Sequence, residues 1–313
     1  MLSRRSLSMA LAAALGYRRL SAALSGAAAG GPAKRVVVVF PYALEPCAEA
    51  VEGFRQRLSS QAAALGLLDV NGPAFAAEVA QELARNPAVI VAVGSDAVRA
   101  VLTREAAVKT VSTMTLEADQ AAAAPLAGRV NAAVYLDIPV RTLVGELRRL
   151  FPDKARVGII RNPARGGPTA AQLRAQAGET AALEIADCAT PDELLPVFLS
   201  FRKKADFVIC LPDGSLYNGA TARPLIMASL ESRLPIVGFS PSFVRAGAAV
   251  GVYPDYRGIG EQTADLVRRC LEPGDCTSWE TPKKLTAAVN AKVLRMLGME
   301  YSRTAGPEPV ILR

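Results

Sequence analysis

The sequence predicts an α/β protein of two Rossmann-like lobes with parallel sheets, joined by a hinge that the chain crosses several times. Three observations carry this. From Val36 onward, short apolar runs alternate with stretches of helical period, the pattern of βαβ units. The alternation runs to about Asp137 and then repeats in outline. Residues 234–262, LPIVGFSPSFVRAGAAVGVYPDYRGIGEQ, hold two apolar runs, a glycine-bearing loop and a helix start, as suits a chain crossing between lobes.

Residues 36–40 (VVVVF) are the first expected strand, and Val51, Phe54, Leu58 and Leu65 follow at helical spacing. Another helix should end near Arg85. Strands are expected at 89–93, 108–112 and 132–135. In the second set, residues 143–150 read as a helix stopped near Pro152, and 157–160, 183–185, 207–211 and 235–239 read as strands. Residues 250–253 and the helix from Asp255 through Cys270 are expected to return to the first lobe. Leu285, Ala288, Val289, Val293, Met296 and Leu297 form a last apolar stripe that closes the second. The expected division is 1–31 export signal, 33–137 plus 249–272 lobe 1, 138–248 plus 273–302 lobe 2, and 303–313 tail.

The leader explains the charge. The formal net charge is +7, but Arg4, Arg5, Arg18, Arg19, Lys34 and Arg35 stand before any acid. Removing those six from 36 basic residues leaves 30 against 29 acidic, or +1. A near-neutral body lacks the phosphate-neutralising surface that nucleic-acid binding needs. Arg4 and Arg5, an apolar stretch at 7–15 and the small residues Ala27, Ala28 and Ala29 have the layout of an export signal. Residues 3–7 also resemble a twin-arginine signal. Export implies a periplasmic protein that meets the membrane only through a partner. There is no histidine and no C-x-x-C, so zinc sites of the usual kind are not expected, nor is any other metal or cofactor. Of the five cysteines, Cys270 and Cys276 bracket a Leu-Glu-Pro-Gly-Asp turn. That spacing suits a short disulfide loop in an oxidising compartment, while the place of Cys270 on its helix's apolar stripe equally suits a buried thiol.

The crossing segment resembles the return crossing of type I periplasmic binding proteins. Residues 243–267, FVRAGAAVGVYPDYRGIGEQTADLV, are similar to the ABC-transporter substrate-binding protein family, relatives of tryptophan- and tyrosine-binding proteins, and the resemblance runs from about Val36 to Met299. It implies a ligand held between the lobes beyond the carboxyl ends of the strands, where helix N-termini converge. Strand ends supply the candidates. Tyr42 follows the first strand and can stack on an apolar ligand. Ser95, in Gly94-Ser95-Asp96, matches the family position whose hydroxyl and amides hold an amino-acid carboxylate; Asp96 departs from it. Thr113 lies in the hydroxyl-rich run 112–115, where the family's Asp-Pro pair is absent. Asn162 follows a second-lobe strand. Asp213, in Pro212-Asp213-Gly214-Ser215, resembles a family turn whose aspartate takes an ammonium group, and Ser240 completes the set. Ser95 and Asp213 also suit an ordinary helix cap and turn.

The reading that follows is an exported solute-binding protein that captures a small organic ligand, such as an amino acid, and delivers it to the membrane subunits of an ABC transporter. Its alternative is a sensory binding protein that presents its closed form to a receptor kinase. An enzyme on the same fold is the rival from another class. Without histidine there is no Ser-His-Asp or Cys-His pair, and no phosphate-binding GxxxxGK[ST] loop occurs. A sugar-repressor-like regulator would need an N-terminal helix-turn-helix where the apolar leader stands.

Overall fold

The computed structural model describes residues 34–58, 64–104, 108–122, 126–154, 156–178, 182–303 and 306–312. The expected export signal lies outside them. The first five strands, β1 (Arg35–Phe40), β2 (Ala64–Asp69), β3 (Val89–Val93), β4 (Lys109–Thr115) and β5 (Val130–Tyr135), form one sheet in the order β5-β4-β3-β1-β2. The next five, β6 (Arg156–Arg161), β7 (Ala182–Asp187), β8 (Phe207–Cys210), β9 (Ile236–Gly238) and β10 (Val250–Pro254), form a second in the order β10-β9-β8-β6-β7. The two orders are the same once five is subtracted. Each lobe is therefore one copy of the same doubly wound unit, all parallel within these five strands. The remaining strands extend the free edges: β11 (Ser278–Glu280) pairs with β5, while β12 (Leu285–Asn290) pairs antiparallel with β10 and carries β13 (Val310–Leu312).

Central strands buried on both faces read as continuous apolar runs, which is why β1 and β3 were legible as strands. On the first sheet, helix α1 (Glu45–Leu58) covers one face, and α2 (Phe75–Ala84) and α3 (Ser95–Leu102) cover the other. A six-residue helix, α4 (Glu117–Ala122), follows β4. On the second, α5 (Val140–Leu150) and α6 (Ala170–Ala177) pack on one face, and α7 (Leu194–Ser200), α8 (Ala222–Ser232) and α9 (Pro241–Ala246) on the other. Helix α10 (Tyr256–Leu271) returns to the first lobe and lies against α1; α11 (Ala291–Leu297) stays with the second. A Cβ at Gly260 would strike the backbone of Ala50, so only glycine lets α10 approach α1 this closely.

Four expectations need correction. Val250–Pro254 does not return to the first lobe: it is the fifth strand of the second repeat, bonded to β9, and the crossing begins only at Asp255. Leu285–Asn290 is a strand, although its spacing of three and four mimics a helix; burial between β10 and β13 selects the extended form. Leu65 belongs to β2 rather than to the preceding helix. Part of the tail is ordered into the second sheet as β13, and part of 273–302 serves the first sheet as β11.

The chain thus crosses between lobes three times, after β5, after β10 and after β11. The last two crossings are tied together. Asp255 N donates to Lys284 O at 3.0 Å, and Gln262 of α10 binds Glu280 Oε2 at 2.7 Å, Thr281 O at 3.0 Å and Lys283 N at 3.1 Å. Cys270 and Cys276 form a disulfide at the far end of α10, resolving the alternative left open by their spacing. Among the described residues no helix is long and apolar enough to cross a membrane, and no group of three His, Cys, Asp or Glu side chains is placed to hold a metal ion.

Candidate functional site

The carboxyl ends of β1, β3 and β4 in the first lobe and of β6, β8 and β9 in the second carry the candidate residues. In the first lobe, Gly94 turns the chain from β3 into α3 at φ +88°, a conformation open to glycine without strain, and its amide donates to Thr113 O at 2.8 Å. Gly94 is thus the cap, and Ser95 is the first residue of the helix. Among the described residues no side chain caps α3. The amides of Ser95, Asp96 and Ala97 have no intrahelical acceptor, and the helix dipole makes this end favourable to negative charge. Asp96, whose charge would oppose one, is exposed and lies 3.6 Å from Arg99 on its own helix. Tyr42 sits at the rim, its ring 4.4 Å from that of Phe40 and its amide donating to Asp69 Oδ1 at 3.3 Å.

Thr113 is turned inward. It is buried, and its hydroxyl accepts from Thr263 of α10 at 3.0 Å, so this side chain fastens the returning helix to the sheet. The next residues are irregular: Met114 has φ +57°, the pairing of β4 with β5 slips between Thr113 and Thr115, and Thr115 Oγ1 is buried without a hydrogen-bond partner among the described residues. A bulge and left-handed backbone at a strand end are features found beside binding sites. Beyond it, Gln120 of α4 is the buried link in a polar chain, bonded to Ser112 Oγ and to Tyr135 Oη at 3.0 Å. The α4 N-terminus is held by Asp137, whose Oδ2 accepts from Glu117 N at 2.8 Å. Burial pushes the Asp137 carboxyl above its ordinary range, a shift opposed in part by the Glu117 amide.

In the second lobe the strand ends are joined by side chains. Asn162 accepts from Ala164 N at 3.0 Å, capping a 3-10 turn at Pro163–Arg165, and donates to Ser215 Oγ at 3.1 Å. Ser215 Oγ donates to Asp213 Oδ1 at 2.5 Å, and the same oxygen accepts from Ser215 N at 2.8 Å and Leu216 N at 3.4 Å. Asp213 is buried, and its Oδ1 is committed to its own turn. Its Oδ2 takes no bond from the described residues. Ser240 caps α9 by accepting from Phe243 N at 3.2 Å and lies 3.0 Å from Ser242 Oγ. Behind it, Tyr217, Phe239 and Phe243 pack with ring centroids 5.3–6.0 Å apart.

Two charged residues that strand-end reasoning did not single out meet here. Arg165, at the end of the Asn162 turn, pairs with Asp119 of α4 in the opposite lobe, and its Nε lies 4.0 Å from Asp213 Oδ1. The rule that found Asn162 reaches Arg165 three residues later. Nothing in the sequence marks Asp119, whose partner is 46 residues away. A recess of about 650 Å³ also lies in the second lobe, lined by Phe151, Arg156, Asp206, Arg233, Met299 and Tyr301. It opens at the amino ends of β6 and β8, the wrong end for a ligand in an α/β sheet.

The comparisons agree with this fold. Similar solved folds include the ligand-free, open structure of CD0873, a substrate binding protein with adhesive properties from Clostridium difficile (TM-score 0.65, 14% identity, covering 90% of this chain and 100% of that one). Two others are a conserved domain protein from Vibrio cholerae (0.57, 20%, 88% and 97%) and an ABC domain in complex with L-Trp from Streptococcus pneumoniae (0.56, 13%, 85% and 95%). At these identities they establish the type I periplasmic binding protein fold. Comparison with curated proteins gives no match. The family model described as ABC transporter substrate binding protein matches residues 73–305, and the chain belongs to that family, whose members bind a small ligand rather than transform it.

Proposed function

We propose that this protein is an exported, periplasmic binding protein that closes on a small amino-acid-like ligand and presents it to the membrane subunits of an ABC transporter. The observation that carries the reading is that the two lobes bring unlike polar groups to their strand ends. The uncapped start of α3 offers Ser95, Asp96 and Ala97 amides to a carboxylate, and Asp213 Oδ2, steadied by Ser215 and Asn162, offers a charge to an ammonium group. A zwitterion carries a group for each set, and a neutral sugar carries neither. The L-Trp complex of a structural neighbour supports the class of ligand. Tyr42 lines the rim and Ser240 the second-lobe wall; Thr113 contributes through the fold alone.

Binding proteins of ABC transporters typically work outside the cytoplasm. The arginine pair, apolar run and Ala27–Ala29 segment support export through a signal peptide, the twin-arginine route included, and the Cys270–Cys276 disulfide suits an oxidising compartment. The proposed moving bodies are 34–136 with 256–280, and 140–254 with 285–312. A ligand that touches both gains contacts only on closure and so shifts the population toward the closed form. The test is a thermal-shift screen against amino acids, sugars and other small metabolites, in which a ligand at 100 times its dissociation constant adds about 2.7 kcal/mol. Stabilisation by amino acids is expected. A response to sugars alone would overturn the ligand class.

A further inference from the structure

Helix α4 is an unusual element to find at the contact between lobes. It has six residues, of which only Gln120 is buried, so it is not anchored by an apolar stripe. Polar bonds fix it: Asp137 on the first crossing holds its Glu117 amide at 2.8 Å, and Ser112 and Tyr135 grip Gln120. Held so, α4 packs against the 3-10 turn Pro163–Arg165 of the second lobe. There the Arg165 guanidinium bonds to Asp119. The turn is itself fixed by its Asn162 cap and ends in Gly166 at φ +68°. Both ends of the ion pair therefore sit on small, braced platforms, one in each lobe.

We propose that α4 and the Asn162–Arg165 turn form an electrostatic latch, in which the Asp119–Arg165 pair holds the two lobes together before any ligand arrives. Arg165 also lies 4.0 Å from Asp213 Oδ1, so when the lobes part it keeps a carboxylate beside it in its own lobe. Opening thus exchanges one neighbour for another instead of stranding a charge. The side chains of Arg165 and Asp119 are 39% and 26% exposed, which puts the latch in the weak class of surface pairs. Such a pair shifts a two-state equilibrium by up to about fivefold, enough to bias the ligand-free protein without locking it. The inference depends on the two-lobed fold and not on the identity of the ligand.

The test reads the distance between lobes in the ligand-free full chain. Spin labels placed through Arg99→Cys on α3 and Met227→Cys on α8 are selective, because the unpaired Cys47, Cys188 and Cys210 are buried. Asp119→Asn and Arg165→Gln should each move the distance distribution toward longer values, and the double variant should move it no further than either single one. Raising sodium chloride from 0.05 to about 0.5 M should lengthen the wild-type distance by screening the pair, with no variant needed. An unchanged distribution in both single variants and in high salt would overturn the latch, as would a double variant equal to the sum of the two.

Discussion

The two walls of the cleft are built by opposite means from the same repeated unit. On the first lobe the strand ends present backbone: a glycine turn at Gly94, a helix start with no side-chain cap and a bulge at Met114–Thr115, where a buried hydroxyl has no partner among the described residues. On the second they present side chains already bonded to each other: Asn162 to Ser215, Ser215 to Asp213, and Ser240 to the start of α9. The difference teaches a division of labour. On the proposed reading, the amides of the first wall grip a carboxylate and the side chains of the second select what it is attached to.

Substitution on the prearranged wall should have the largest effect, because one residue there serves the turn and, on the proposed reading, the ligand too. Asp213→Ala orphans the Ser215 and Leu216 amides as well as removing the charge. It is expected to lower stability by about 1–3 kcal/mol and to weaken an ammonium-bearing ligand by roughly 1.5–3 kcal/mol. Chemical denaturation and calorimetry separate the two; a loss of affinity with undiminished stability would mean the turn does not depend on Asp213. Next comes the open wall. A Cβ at Gly94 meets only Cys47 Sγ at 3.6 Å and Pro41 Cδ at 4.0 Å, ordinary contacts, so Gly94→Ala suffers from its positive φ alone. A cost of about 1–3 kcal/mol is expected by denaturation, since φ +88° with ψ 156° lies in a region essentially confined to glycine. A larger loss would show that crowding, rather than conformation, fixes this turn.

The hinge gives a smaller, pH-dependent effect. Burial pushes the Glu280 carboxyl up, but Gln262, Arg269 and Lys283 together overcome this and hold it at about 2, against an ordinary value of 4.5. A carboxyl that titrates lower in the folded state stabilises fully above its unfolded value and loses that contribution as pH falls through the folded one. Stability should therefore fall between pH 4.5 and about 2, less steeply in Glu280→Gln. Parallel acid titrations of wild type and variant would refute this. The smallest effect belongs to Thr113→Val. It breaks the bond to Thr263, whose hydroxyl keeps Ile259 O at 2.8 Å, so stability should drop by about 1 kcal/mol with ligand affinity unchanged. Weakened binding would return Thr113 to the site.

Much of the architecture was legible because central strands write themselves as apolar runs: 36–40, 89–93 and 207–211 needed no tertiary information. What failed was set by context. Leu285, Ala288 and Val289 satisfy a helical period that only their place beside β10 contradicts, and Val250–Pro254 is assigned to a lobe by counting strands in the repeat, which requires β2 to have been found. The strand-end rule pointed to Asn162, Asp213 and Ser240, which do follow β6, β8 and β9. It could not tell which way Thr113 pointed, since that depends on pleat and on a bulge one residue away. The pairing of Asp119 with Arg165 was beyond reach, because it depends on how two separately folded lobes face each other.

The central claim is that one ligand bridges both walls. Small-angle scattering of the protein with and without an amino acid found by screening tests it most directly, with Asp213→Ala as the control that removes one wall's charge. The account predicts a smaller radius of gyration on ligand addition and a weaker, concentration-shifted compaction in the variant. A radius of gyration that stays the same while the ligand is bound would contradict it, placing the ligand on a single lobe.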